Sequence, residues 1–311
     1  MAINKRQGAP ALLTVLALLP LVLAPERASA QPSPAPPPPY SLPWLLRPAT
    51  TATVVRLDTT VAFHEDAASG ASGQTLVESL IVSRKVSARV APLFRLSWVR
   101  LSAPDGSREP SGRAFSNPLA GLSYVRPFAG QWRLSLFGAA TVPIGQGGGD
   151  APDPGAAAAI ARGIPARSAM DNALFAVNYW TVIGGVGAAR VTRAATLQAE
   201  ATVLQLTRVR GASTQDGSRT NLTLALHAGH FLTPRLSLGG ELRFQRWMTN
   251  AAPVRANPQA RETVTAAFGP RFHFKWDKRW VRPGLSYTQA LDHPLDTQHY
   301  RMLQVDVPVV F

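Results

Sequence analysis

The chain has 311 residues, no cysteine, 32 Lys+Arg against 18 Asp+Glu, and a formal charge of +14. The missing cysteine excludes a disulfide framework, a thiolate metal site and a thiol nucleophile. With 46% apolar residues the chain is not disordered, and its 28 Arg and 4 Lys are dispersed without a basic block, which argues against a nucleic-acid surface.

The first thirty residues read as an export address. Lys5 and Arg6 precede an apolar run from Ala11 to Ala24, and Ala28-Ser29-Ala30 supplies the small residues of a cleavage site. Pro20 interrupts the run, which is too short to span a bilayer. Cleavage after Ala30 removes Lys5, Arg6, Glu26 and Arg27, and leaves a charge of +14 − 2 = +12. Residues 31–48 follow, with eight prolines in eighteen positions, and form a periplasmic segment of polyproline type. A spacer is the simplest reading. Tyr40, Trp44, Leu45 and Leu46 leave open a plug or docking peptide.

From residue 49 the pattern has period two. Val55, Leu57, Thr59, Val61 and Phe63 alternate with Arg56, Asp58, Thr60 and His64, and Leu197, Ala199, Ala201 and Val203 alternate with Gln198, Glu200 and Thr202. Such segments put one apolar and one polar row on opposite faces of a strand. Twelve are expected, at 51–64, 75–89, 93–102, 118–126, 132–142, 174–191, 195–208, 220–232, 236–247, 261–274, 280–290 and 299–311. Blurred alternation in 75–89 and 174–191 leaves ten or fourteen open. Helical periodicity is confined to Ala156–Ala161.

The connectors alternate in length. Val90-Ala91-Pro92, Pro127–Gln131, Thr192–Ala194, Thr233-Pro234-Arg235 and Lys275–Arg279 are short, whereas Glu65–Gly73, Ala103–Asn117, Pro143–Asn172 and Met248–Ala260 are long. That rhythm predicts an all-β fold: a transmembrane antiparallel up-and-down barrel of the outer-membrane type over residues 49–311, with both termini periplasmic. Trp132, Trp276, Trp280 and Phe311 fall at the short-turn end, and Trp98, Trp247, Tyr287 and Tyr300 near the long-loop end, as two aromatic girdles.

In the last strand Leu303, Val305, Val307, Val309 and Phe311 share one face. This resembles the C-terminal signal of bacterial outer-membrane barrels, which implies recognition by the barrel-assembly machinery. Asn117-Pro118, Gly121, Tyr124 and Pro143-Ile144-Gly145 are similar to a pattern of the phenol-degradation (MetA-type) outer-membrane transporter families.

With the apolar row facing lipid, the lumen is expected to carry Arg56, Asp58, Lys85, Arg95, Arg133, Glu200, Glu241, Arg243, Arg271, Arg282 and Asp306. That is seven cations against four anions, a lining that attracts anions. The expected function is passive passage of small solutes across the outer membrane, preferring anions; the alternative is a non-transporting barrel with a structural or surface-binding role. Arg100, Arg246 and Arg301 share the outward parity near the long-loop rim and are candidates for contact with the phosphates of lipopolysaccharide and other outer-membrane lipid. Arg84 and Lys85 are adjacent, so a bulge or a rim position is required of one. No enzyme, metal site or cofactor is expected. His227 and His230, three apart on a strand, face opposite sides. Ser286, His293, Asp296 and His299 lack a recognisable hydrolase motif.

Overall fold

A computed structural model describes residues 40–65, 70–212 and 214–311. The expected signal peptide and the first part of the proline-rich segment lie outside the described residues.

Among the described residues, twelve antiparallel strands close into a barrel. They are β1 (Val54–Glu65), β2 (Ser72–Ser83), β3 (Val90–Ser102), β4 (Leu119–Pro127), β5 (Trp132–Thr141) and β6 (Tyr179–Val191) in the first half. The second half holds β7 (Ala195–Arg208), β8 (Ser218–Thr233), β9 (Leu236–Trp247), β10 (Glu262–Phe272, continued by Phe274–Trp276), β11 (Arg279–Val281 and Gly284–Ala290) and β12 (Arg301–Val310). Each strand pairs with its chain neighbour, and β1 closes on β12 in a register running from Val54↔Val310 to Phe63↔Arg301. A short strand, Gly112–Phe115, pairs with the end of β3.

The register is staggered around the wall. The row of directly opposed residues that starts at Val54 runs through Ser83, Leu93, Gly121, Ala139, Ile183, Leu204 and Asn221 to Trp247. Val54 stands at the turn end of β1 and Trp247 at the loop end of β9. A ladder row that climbs this way is the shear that closure imposes on tilted strands.

The alternation has the sign expected for a lipid solvent. Leu57, Phe63, Leu226, Phe268 and Phe272 are exposed on the outside, whereas Arg56, Asp58, Thr60, Gln198, Glu241 and Arg243 are buried inside. A wall of exposed apolar side chains around a charged interior is unstable in water and natural in a bilayer. Among the described residues no helix is long and apolar enough to cross a membrane; the strands do the spanning.

Several boundaries move. β2 ends at Ser83, and the turn is Arg84–Arg89, held by the Val86 and Ser87 amides donating to the Val90 carbonyl. Val90-Ala91-Pro92, expected as a turn, opens β3 instead. The rim explanation of the adjacent basic pair therefore holds. Arg84 and Lys85 are both exposed in the turn, and Lys85 is corrected from lumen-lining to turn-end rim. The expected strand 174–191 begins only at Tyr179. Before it the long connector forms helix α1 (Pro154–Ala166) and the single turn α2 (Asn172–Phe175). α1 extends the short periodic stretch because Asp153 caps it, accepting from the Ala156 amide at 2.7 Å, and Pro154 pre-sets its first turn.

Trp98, Trp132, Trp276, Trp280 and Phe311 are exposed in the outer girdles. Trp247 and Tyr300 are not. Both are buried, Trp247 under the Arg219 guanidinium 5.0 Å from its ring and Tyr300 stacked on His64 at 5.2 Å. Trp247 has the inward parity of Gln245, which sequence position near the rim does not reveal.

Candidate functional site

The lumen is filled from both ends. From the turn end, residues 40–49 insert as a loop whose base is closed by the Tyr40 hydroxyl, which accepts from the Ala49 amide at 2.9 Å and donates to Gln198 Oε1 at 2.5 Å. Burial pushes that hydroxyl well above its ordinary range, so it stays a neutral donor. The apex carries Trp44 and Leu46, each 2% exposed. The second part of the proline-rich segment is thus lodged in the barrel, and the plug reading describes it.

The wall grips this plug by its main chain. Arg56 donates to the carbonyls of Pro43 and Trp44, Arg271 to Leu42 at 3.0 Å, Arg282 to Tyr40 at 3.4 Å and Arg133 to Ala49 at 3.4 Å. Glu241 accepts from the Trp44 amide at 2.5 Å and the Leu45 amide at 3.3 Å, and Glu200 accepts from the Arg47 amide at 3.0 Å. Arg47 also pairs with Glu200 at 2.7 Å, its guanidinium 4.0 Å from the Phe137 ring centroid. Cationic side chains meet the plug carbonyls and carboxylates meet its amides, each with the complementary hydrogen-bonding group. Space for the plug comes from missing side chains. A Cβ on Gly229 would lie 2.2 Å from Ser41 Oγ, and one on Gly239 would press on the Trp44 ring at 3.1 Å.

From the loop end, α1 packs inside the β1–β3 wall. Ala159 and Ile160 join Ala62, Val77 and Val99, inward positions of those strands, in one buried apolar cluster. Arg162 holds the helix to the rim through Glu109 at 2.8 Å and the Tyr300 hydroxyl at 3.0 Å. Below the helix, Asp171 bridges Arg95 at 2.7 Å and Arg167 at 2.9 Å. Burial alone would raise the Asp171 carboxyl, but the two guanidinium groups outweigh it and hold it well below the usual carboxylate range. The base of this connector is tied by Asn117, which accepts from the Gly145 amide at 3.0 Å and donates to the Ala176 carbonyl at 2.9 Å. A Cβ on Gly145 would meet Val177 at 2.6 Å.

An ionic layer joins the two fillings at mid-height. Asp58 pairs with Arg56 at 3.2 Å and Arg167 at 2.9 Å, and accepts from Gln304 at 2.8 Å. Asp306 pairs with Arg56 at 2.9 Å and Arg271 at 3.0 Å, and Glu241 with Arg243 at 2.7 Å. These residues are at most 7% exposed, so the ionic layer leaves no gap for water between its own members. Ten of the eleven expected lumen residues face inward: Arg56, Asp58, Arg95, Arg133, Glu200, Glu241, Arg243, Arg271, Arg282 and Asp306.

Sequence reading missed Arg47, Arg167 and Asp171, which lie off the strands and have no parity to betray them. The inward glycines Gly229 and Gly239 were the available signal, since a lumen position without a side chain leaves room for a guest. His227, 1% exposed, contacts the Ser41 carbonyl through Nε2 at 3.1 Å, and His230 is exposed on the outside, as strand parity requires. Ser286 is buried in the lumen, whereas His293 pairs with Asp296 at 2.5 Å in an exposed loop, so the two are not brought together. Among the described residues no group of three or more His, Asp or Glu is placed to hold a metal ion.

Arg100, Arg246 and Arg301 are all exposed on the outer face near the loop end, and Arg246 pairs with Glu262 at 3.1 Å. Leu303, Val305 and Val307 are exposed on the outer face of β12, and Phe311 beyond its end.

No protein-family model and no curated protein sequence matches the chain. Solved structures do. An outer-membrane channel from Pseudomonas putida F1 superposes with a TM-score of 0.56 at 14% identity, over 90% of this chain and 100% of that one. The KdgM porin gives 0.47 at 10% identity, over 83% and 99%, and the NanC porin 0.48 at 8%, over 82% and 98%. The likeness to the Pseudomonas channel, with the closed register of β1 on β12, establishes the fold as a twelve-stranded antiparallel barrel of the outer-membrane type.

Proposed function

We propose that the chain is a bacterial outer-membrane channel for small solutes, held here in a closed state, with its termini at the periplasmic face and its loops outside. The observation that carries this reading is the way the lumen is filled. A barrel sealed for structure alone would be packed by its own side chains. This one is occupied by a separate segment held largely through its main-chain groups, which water or a polar solute replaces at little cost, together with the Arg47–Glu200 ion pair and the Tyr40–Gln198 hydrogen bond. The fold shared with the Pseudomonas putida F1 channel and the outward apolar rows support the location.

Withdrawal of the plug also supports the anion preference. Arg133 and Arg282 have no ion-pair partner among the described residues, and donate to plug carbonyls. Arg56 loses two carbonyls and Arg271 one. The freed lining is cationic and concentrates anions. In a planar bilayer under a potassium chloride gradient, the barrel freed of both the plug and the α1 connector is expected to reverse toward the chloride potential; reversal toward the potassium potential removes the preference.

The complete ionic pairing at mid-height favours the second reading, a non-transporting barrel with a structural or surface-binding role. The finer kinship with MetA-type transporters rests on the same residues as before. Their role here gives it support, since Asn117 and Gly145 together tie down the inward connector. We assign the barrel-assembly machinery as partner of the closing strand, through the outward row Leu303, Val305, Val307, Val309 and Phe311. Phe311→Ala is expected to lower the yield of folded, heat-modifiable barrel in cells several-fold without changing refolding in detergent. Equal yields of folded barrel in cells refute that assignment.

A further inference from the structure

Outside the lumen, one polar arrangement on the wall is explained neither by passage of solutes nor by contact with acyl chains. Arg100 of β3 stands directly opposite Arg113 of the short strand Gly112–Phe115. Both are exposed on the outer face; Val99, Leu101 and Ala114, the intervening residues, are buried on the inner one. Like charges directly opposed across a ladder destabilise the pairing, with Cβ atoms only ~5 Å apart. Neither guanidinium has a hydrogen-bond or ion-pair partner among the described residues, in contrast to Arg246, which Glu262 neutralises.

The row below completes the picture. Trp98 lies opposite Phe115, and their rings meet edge to face with centroids 5.0 Å apart. Trp98 is 54% exposed, at the height where an aromatic girdle marks the end of the apolar band. Two unpaired cations thus stand just above an aromatic shelf, at the loop end of the lipid-facing wall. Glu78, an exposed acid on the same face, is opposite Trp98 and makes no ion pair with Arg100.

We propose that Arg100 and Arg113 form a clamp for the phosphate of a phosphorylated glycolipid of the outer leaflet, with Trp98 and Phe115 receiving the apolar boundary of the same molecule. A phosphate between two guanidinium groups relieves their repulsion and takes parallel hydrogen bonds from both. Of the trio expected from the sequence, Arg100 gains Arg113 as its neighbour in the clamp, Arg246 is engaged by Glu262, and Arg301 stands apart, exposed on β12. This inference rests on the proposed outer-membrane placement with the loop end outward, but not on whether the barrel passes solutes.

The test uses the full chain, folded in detergent micelles, with diphosphoryl lipid A as probe and native mass spectrometry as readout. The unmodified protein is expected to retain one lipid A. Arg100→Gln with Arg113→Gln is expected to weaken retention at least tenfold, and Trp98→Ala several-fold. Dephosphorylated lipid A is expected to bind at least tenfold more weakly than the diphosphoryl form. Both arginines are exposed, so heat-modifiable migration should confirm that the variants remain folded. Equal retention by the double variant overturns the clamp, as does equal binding of dephosphorylated lipid A. Complete displacement of the lipid by millimolar inorganic phosphate overturns the lipid assignment and leaves a site for the free anion. Failure of the channel reading would appear in solute flux, which this measurement does not sense.

Discussion

Neither removal of residues 31–49 alone nor replacement of Pro143–Asp171 by a short Gly-Ser turn is expected to open the barrel, whereas the two changes together should open it. The expectation follows from two barriers in series. The plug covers the mid-height layer from the turn side, where Trp44 sits on Glu241 and Arg56. The connector covers it from the loop side, where Arg167 seats on Asp58 and Thr60, and Ser168 meets Arg243. Either filling keeps water from crossing. The replacement is geometrically tolerable because β5 and β6 are paired up to Thr141↔Thr181, so a tight turn joins them without moving the wall. In liposome swelling with a small sugar, the intact chain and each single variant are expected near the protein-free rate. The double variant should swell at least tenfold faster. Fast swelling after plug removal alone would show that the connector is no barrier. A closed double variant would favour the structural reading over the channel.

The wall and its contents were unequally legible in the sequence. Strand parity made the wall readable, because one polar and one apolar row at period two determine which way Arg56, Asp58, Glu241 and Arg243 face. Parity also accounts for the one lumen assignment that moved. Lys85 lies past the end of β2, where alternation carries no information, and the blurred pattern of 75–89 gave no boundary. The fillings obey no such rule. Arg167 and Asp171 belong to a connector whose glycine- and alanine-rich sequence reads as an outside loop. Its inward turn is decided by partners distant in sequence, Asp58 and Arg95. The plug was half visible: Trp44 and Leu46 are too apolar for a free spacer, but only their seats at Gly229, Gly239 and Glu241 show where they go.

Asp58→Asn is expected to be the most damaging single change in the interior. Asp58 is 1% exposed and serves both fillings at once, through Arg56 to the plug carbonyls and through Arg167 to the connector. The amide keeps the volume, so no cavity forms. It loses the charge, however, and turns one acceptor into a donor facing guanidinium N–H groups. Two arginines then remain in the closed layer with less negative charge than they need. Breaking a buried pair costs about 3–5 kcal/mol when the partner is left wholly uncompensated; Arg56 keeps Asp306 and Arg167 keeps Asp171, so the loss here falls below that range. The urea midpoint for unfolding from lipid vesicles should fall accordingly, and the connector should become open to protease at sites near Arg167. A second variant separates the charge imbalance from simple loss of contact. Asp58→Asn combined with Arg167→Met removes one charge of each sign, and replacing a buried pair by apolar volume is often close to neutral. The double variant should therefore be more stable than Asp58→Asn alone, even though it carries one more substitution. If the two losses simply add, Asp58 and Arg167 are not energetically coupled, and the mid-height layer is a set of separate pairs without the shared centre that ties plug to connector.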